Sequence, residues 1–133
     1  MIEEKDTKKY SVSIGIPAYN EEKNIIPLLT SLLQQKLTQC FIKEIIVLSD
    51  GSSDKTVSLV ENLQQETVRV IEGTSRMGKP VRLNQFFNFA STDFAVILDA
   101  DVKITSADLI ENLLQPMFAD EHIMLTSGKE IPL

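Results

Sequence analysis

Val12-Ser13-Ile14-Gly15-Ile16-Pro17-Ala18-Tyr19-Asn20-Glu21-Glu22 is a short apolar run that empties abruptly into polar residues, and the same event recurs twice downstream. Ile45 to Leu48 opens into Ser49-Asp50-Gly51-Ser52-Ser53-Asp54, and Phe94 to Leu98 opens into Asp99-Ala100-Asp101. Short continuous apolar runs bounded by turn residues read as buried strands. In an open α/β sheet, ligands bind at the carboxyl ends of the strands, near the point where strand order reverses. Polar stretches at three such ends therefore predict one shared site. The carboxylates of Asp50, Asp99 and Asp101 are expected to meet there around a divalent cation. A cation beside helix N-termini points to a phosphorylated ligand.

Between the runs the apolar period changes to that of helices. After strand one (Val12 to Ile16), Asn24 is placed to cap a helix whose Ile25, Leu28, Leu29 and Leu32 form one stripe, with Pro27 in its first turn. After strand two (Lys43 to Leu48), Ser52 or Ser53 is the expected cap of a second helix, with Asp54 in its first turn and Val57, Val60 and Leu63 facing inward. Thr67 to Ile71 is strand three. The polar loop Gly73 to Lys79 leads to a helix from Pro80 with Leu83, Phe86, Phe87 and Ala90 in period. After strand four (Phe94 to Leu98), Thr105 and Asp108 resemble a capping box for a helix bearing Ile110, Leu113, Leu114 and Met117. Ile123 to Thr126 is a candidate fifth strand. Met77, Met117, Met124 and the phenylalanines at 86, 87 and 89 read most simply as core. Strict alternation of this kind predicts an α/β fold, a three-layer αβα sandwich around a mostly parallel sheet. Residues 1–9 read as a disordered lead-in and residues 10–133 as one domain.

Composition narrows the function. Thirteen basic residues against nineteen acidic ones give a net charge of −6, which argues against nucleic acid as a partner. One cysteine, Cys40, excludes an internal disulfide, and one histidine, His122, excludes a His-rich zinc site. The charged N-terminus carries no signal-peptide core, and no apolar run is long enough to span a bilayer. A soluble, cytoplasmic chain is the expectation, whose longer parent could attach to the cytoplasmic face of a membrane.

Each polar stretch has a plain reading beside the chemical one. Asp99-Ala100-Asp101 is a solvated turn, or a pair of hard oxygen ligands suited to Mg²⁺ or Mn²⁺. Asp50 to Asp54 is a strand-to-helix turn with glycine for tightness. The turn alone does not require Asp50, whose carboxylate could accept from a base N–H or a ribose hydroxyl. Pro17 to Glu22 is a stiff turn with an acidic helix start, yet Tyr19 and Asn20 offer a flat ring and an amide to a nucleobase. Arg76-Met77-Gly78-Lys79 is a solvated loop, and also a compact cationic cluster ending at a helix N-terminus, where a diphosphate would sit.

Taken together, Pro17-Ala18-Tyr19-Asn20-Glu21-Glu22, Asp50-Gly51-Ser52-Ser53-Asp54, Gly78-Lys79 with Leu83-Asn84, and Asp99-Ala100-Asp101 resemble the nucleotide-binding half of a family 2 glycosyltransferase of the Rossmann-like GT-A fold, over roughly residues 11–127. The resemblance implies an inverting, metal-assisted transfer of a sugar from a nucleoside-diphosphate donor, UDP-linked or alternatively GDP-linked, to a saccharide or lipid. It implies a nucleotide-sugar site of Pro17, Ala18, Tyr19, Glu21, Asp50, Gly51, Arg76, Lys79, Asp99 and Ala100. Mg²⁺ or Mn²⁺ would be held by Asp101 with Asp99. Ser49 stands where the family often has an aspartate. The family's catalytic base comes from the acceptor-binding half, which a chain ending at Leu133 would lack; Glu111, Asp120, Glu121 and Glu130 sit in no recognisable motif. A sheet without that half would expose an edge open to self-association. Two other functions compete. A phospho-accepting receiver would use clustered aspartates and a lysine such as Lys129, but it wants an acidic pair where Pro17-Ala18-Tyr19-Asn20 stands. A non-catalytic binding module of the same fold is the other.

Overall fold

Ile45, Ile46, Val47 and Leu48 are all fully buried, which happens only to a strand covered on both faces. They lie in the middle of a four-stranded parallel sheet. A computed structural model describes residues 8–128 of the chain. Its elements are β1 (Tyr10–Ala18), α1 (Ile25–Leu33), β2 (Cys40–Ser49), α2 (Thr56–Asn62), β3 (Val68–Glu72), α3 (Lys79–Phe89), β4 (Phe94–Ile97) and α4 (Leu109–Ala119). The strand order is β3-β2-β1-β4. Successive strands step outward from β1 to β3, and the chain then returns to the other side of β1. The order therefore reverses between β1 and β4, which makes their carboxyl ends the favoured place for a ligand.

Side-chain alternation sorts the core into two layers. Val12, Ile14 and Ile16 of β1 and Ile45 and Val47 of β2 pack with Ile25, Leu28, Leu29 and Leu32 of α1, Val60 of α2, and Ile110 and Leu114 of α4. On the opposite face Ile46 and Leu48 pack with Phe86 of α3. Gly15 makes room for that ring, because a Cβ there would come 2.7 Å from Phe86. The α/β fold with helices on both faces is the one anticipated.

Several local expectations are corrected. α2 starts at Thr56 rather than after Ser52 or Ser53, and Asp54 stays outside it, accepting from the Thr56 backbone N–H at 2.9 Å. Asn24 precedes α1 but makes no side-chain cap; its amide donates to Glu21 instead. No Thr105–Asp108 capping box forms: α4 begins after Asp108, whose own N–H donates to Ser106 Oγ. Ile123 to Thr126 is not a strand. β4 is only four residues long and pairs with β1 alone, while Thr126 is held by donating its hydroxyl to the Leu113 carbonyl. Met77, Met124, Phe87 and Phe89 are exposed rather than core. α3 covers the sheet through Phe86, so Phe87, one position round, faces away toward the open β4 edge, and Phe89 lies under Arg69. The lead-in at 1–7, Lys129 and Glu130 fall outside the described residues.

Candidate functional site

The site begins with two loops latched together. After β1 the chain turns at Asn20, in the left-handed region at φ 51°. Its side-chain oxygen accepts from the backbone of Ser53 (2.8 Å) and its own N–H donates to Ser52 Oγ (3.0 Å). Glu21 N–H donates to Thr56 Oγ1 at 2.9 Å, Glu22 N–H donates to Asp54 Oδ2 at 3.2 Å, and the Glu22 carboxylate accepts from Lys55 N–H at 3.1 Å across the same seam. Burial works against ionised Asp54, but hydrogen bonds from Thr56 and Glu22 outweigh it and hold the pKa below the usual carboxylate range. The side-chain oxygen of Asn20 is therefore spent on the β2–α2 turn.

Asp50 follows β2 and is buried. Its Oδ1 accepts from Met77 N–H at 2.8 Å and from Arg82 Nε at 2.9 Å, and its Oδ2 accepts from Gly78 N–H at 3.0 Å. Burial alone would raise its pKa; the two N–H groups and the guanidinium overcome this and leave it lowered. The next residue must be glycine. Gly51 has φ +71°, and a Cβ would meet the backbone carbon of Ser75 at 2.7 Å. The 73–78 loop thus lies directly on the β2 turn. From it Arg76 reaches back over Tyr19, its guanidinium carbon 3.8 Å from the ring centre.

A cleft of about 170 Å³ results, lined by Pro17, Ala18, Tyr19, Asp50, Arg76, Gly78 and Lys79. Beside it runs a groove of about 640 Å³ along the β4 edge, and Lys79 lines both. Lys79 Nζ pairs with Asp99 Oδ1 at 2.5 Å, both side chains being about half exposed. Asp101 is exposed in the turn after β4, closed by a Val102 N–H to Asp99 carbonyl bond of 3.2 Å.

Of the anticipated site residues, Pro17, Ala18, Tyr19, Asp50, Arg76 and Lys79 come together, with Gly51 beneath and Asp99 alongside. Glu21 does not line the cleft; its carboxylate accepts from Asn24 at 2.9 Å. Ala100 is buried in the core. The expected meeting of Asp50, Asp99 and Asp101 around one ion is not what forms: among the described residues no group of three acidic, histidine or cysteine side chains could hold a metal. Asp50 is engaged by Arg82 and the loop backbone instead. Asp99 and Asp101 remain, two hard carboxylates at an open strand end, a donor set that fits Mg²⁺ or Mn²⁺ when ligand oxygens complete the shell. Glu111 stands apart from the cleft: its carboxylate accepts from Thr38 and Gln39, which outweighs its burial and lowers its pKa, while burial and Glu111 together push Cys40 up to about 11.

Sequence reasoning missed Arg82. The signal was present, since an arginine four residues before Phe86 falls on the inward face of an amphipathic helix.

Comparison with known proteins agrees with this geometry. The chain is 34% identical over 106 residues to the 4,4'-diaponeurosporenoate glycosyltransferase of Staphylococcus aureus (strain USA300), a match covering 78% of the chain and 27% of that relative. The chain therefore spans about a quarter of the curated relative's length. Among solved structures, it resembles the mannosyltransferase PcManGT from Pyrobaculum calidifontis in complex with GDP-Man and Mn²⁺, with TM-score 0.74 and 26% identity over 84% of this chain and 33% of that one. It also resembles S. aureus TarS 1-349 in complex with UDP, with TM-score 0.70 and 26% identity over 92% of this chain and 38% of that one. The receiver alternative finds no support in these likenesses. The family profile "Glycosyl transferase family 2" matches residues 13–129, and with the sheet order and strand-end cleft described above it leaves one conclusion: the chain belongs to glycosyl transferase family 2.

Proposed function

We propose that this chain binds the nucleotide-sugar donor of a glycosyltransferase that passes a hexosyl group to a saccharide or lipid acceptor with inversion. The observation that carries the reading is the cleft itself. It places an aromatic ring, two cations and a buried carboxylate at the ends of β1 and β2, next to the Asp99–Asp101 pair at the end of β4. In this reading Tyr19 and Arg76 frame the base, and Lys79 lies against the diphosphate. Asp50 orders the pocket wall and keeps acceptor capacity on Oδ2, where a single backbone N–H is bound.

Asp99 and Asp101 would hold Mg²⁺ or Mn²⁺. Once bound, the cation supports the negative charge that grows on the departing nucleoside diphosphate. Lys79 serves the same end from the chain's own side. A positive side chain fixed beside the leaving group stabilises developing charge without reorganising during reaction. Neighbouring structures hold UDP in one case and GDP-Man with Mn²⁺ in another, which supports a diphosphate donor and a divalent ion; a UDP-linked donor is favoured here.

In this reading the described residues act as one donor-binding domain working on the cytoplasmic side. No helix among them is long and apolar enough to cross a membrane. The edge of β4, unpaired among the described residues and flanked by exposed Met124, Leu125 and Phe87, is open to self-association. Calorimetric titration with UDP, GDP and their sugar conjugates, with and without Mn²⁺, tests the core claim. Metal-dependent binding of at least one is expected, and silence from all of them overturns it.

A further inference from the structure

We propose that Arg82 is the positioning residue of the cleft: it clamps the 73–78 loop through Asp50 and the Ser75 carbonyl without itself touching the ligand. The inference rests on the nucleotide reading above and concerns how that pocket keeps its shape.

Arg82 is almost fully buried, and each of its three guanidinium nitrogens has its own partner. Nε donates to Asp50 Oδ1 at 2.9 Å, Nη2 to the Ser75 carbonyl at 2.7 Å, and Nη1 to Gln85 Oε1 at 3.1 Å. One planar group therefore ties the end of β2, the middle of the loop and the body of α3. Asp50 extends the clamp by accepting from Met77 and Gly78. The loop is shaped around this group, since a Cβ on Gly73 would overlap the guanidinium. A lysine could not reproduce three fixed directions from one plane.

Burying an ion pair is a poor route to stability, because a well-packed apolar side chain usually serves as well. The inward position of α3 four residues before Phe86 could have held leucine. What leucine could not do is fix the loop that carries Arg76 to Tyr19 and delivers Lys79 toward Asp99. Arg82 does not line the cleft. Its effect is to order the wall beforehand, so that binding does not have to.

The test compares the wild-type chain with Arg82→Met and Arg82→Lys. Folding is checked by circular dichroism. Exchange of the Met77 and Gly78 amide protons is read without ligand, and affinity for UDP and for GDP is read with Mn²⁺ by calorimetry. Both variants should keep the fold and the protection of β1 amides, while exchange at Met77 and Gly78 rises about tenfold or more. Affinity for whichever diphosphate the wild type binds should fall about tenfold, and in Arg82→Met its loss on acidification should move to higher pH, because Asp50 stays buried but loses its cation. Unchanged protection at Met77 and Gly78 overturns the proposal, and so does faster exchange with unchanged affinity. Should Arg82→Met fail to fold, Arg82→Lys carries the same readings. If the wild type binds neither nucleotide, the donor-binding function is what fails, and exchange at Met77 and Gly78 still decides whether Arg82 holds the loop.

Discussion

Single side chains at this site divide into those that build the wall and those that face the cleft. Lys79 and Asp99 are about half exposed, so their ion pair adds no more than about 1 kcal/mol to stability. Lys79→Ala should leave the melting temperature within a few degrees of wild type yet weaken UDP or GDP binding by about tenfold, measured by calorimetry. Asp50→Asn should do the reverse in part. Removing the charge leaves Arg82 buried without its partner, at a cost of about 3 kcal/mol in a urea titration. Acid titration reads the same groups. Asp50, Asp54, Glu111 and Asp93, which sits just before β4 and accepts from the Ser11 backbone N–H at 2.9 Å, all have lowered values in the folded chain. Each thus contributes stability at every pH above its unfolded value, and that contribution drains away as pH falls through the folded one. Stability should stay level from neutral pH down to about 4.5 and then decline, the decline being shallower in Asp50→Asn. Carboxylates of this kind are legible in a sequence as candidates but not in their partners. Asp50 stood out because no turn requires it, whereas the guanidinium that claims it comes from a helix residue thirty-two positions on. Only the folded chain brings those two together.

Elements were easier to foresee than their ends. The apolar runs of β1, β2 and β4 and the stripes of α1 and α4 decide their own type, since burial on one or two faces writes the period directly into the sequence. The starts of α2 and α4 were misplaced because Ser52, Ser53 and Thr105 look like caps locally. In the fold, Asn20 and Glu22 arrive from another loop to engage the β2–α2 turn, and Ser106 supplies the contact before α4. The fifth strand failed for a related reason, since a strand needs a neighbour as well as a β-prone sequence. Packing between elements yields its own prediction. Phe86 is the one large ring joining α3 to the sheet, fitted into the gap over Gly15. Phe86→Ala should cost about 3–5 kcal/mol by chemical denaturation, and Gly15→Val should destabilise by about 1–3 kcal/mol through overpacking.

At the scale of the whole molecule, the sheet is an open one whose two edge strands, β3 and β4, each have one neighbour among the described residues. Among the described residues no strand pairs with the outer edge of β4, which lies beside the exposed Met124 and Leu125. Replacing both with glutamate should shift the chain toward the monomer in sedimentation velocity, with nucleotide affinity unchanged; an unaltered distribution would remove this edge as a self-association surface. One further feature makes the molecule its own instrument. The chain has no tryptophan and two tyrosines, so its ultraviolet emission comes from those two rings alone. Tyr10 is stacked on Phe118 at 4.9 Å, at the opposite end of β1 from the cleft, while Tyr19 sits in the wall beneath a guanidinium. A nucleobase arriving there would dim one lamp and leave the other burning, and Tyr19→Phe would leave only the steady one, so occupancy can be followed without attaching a dye.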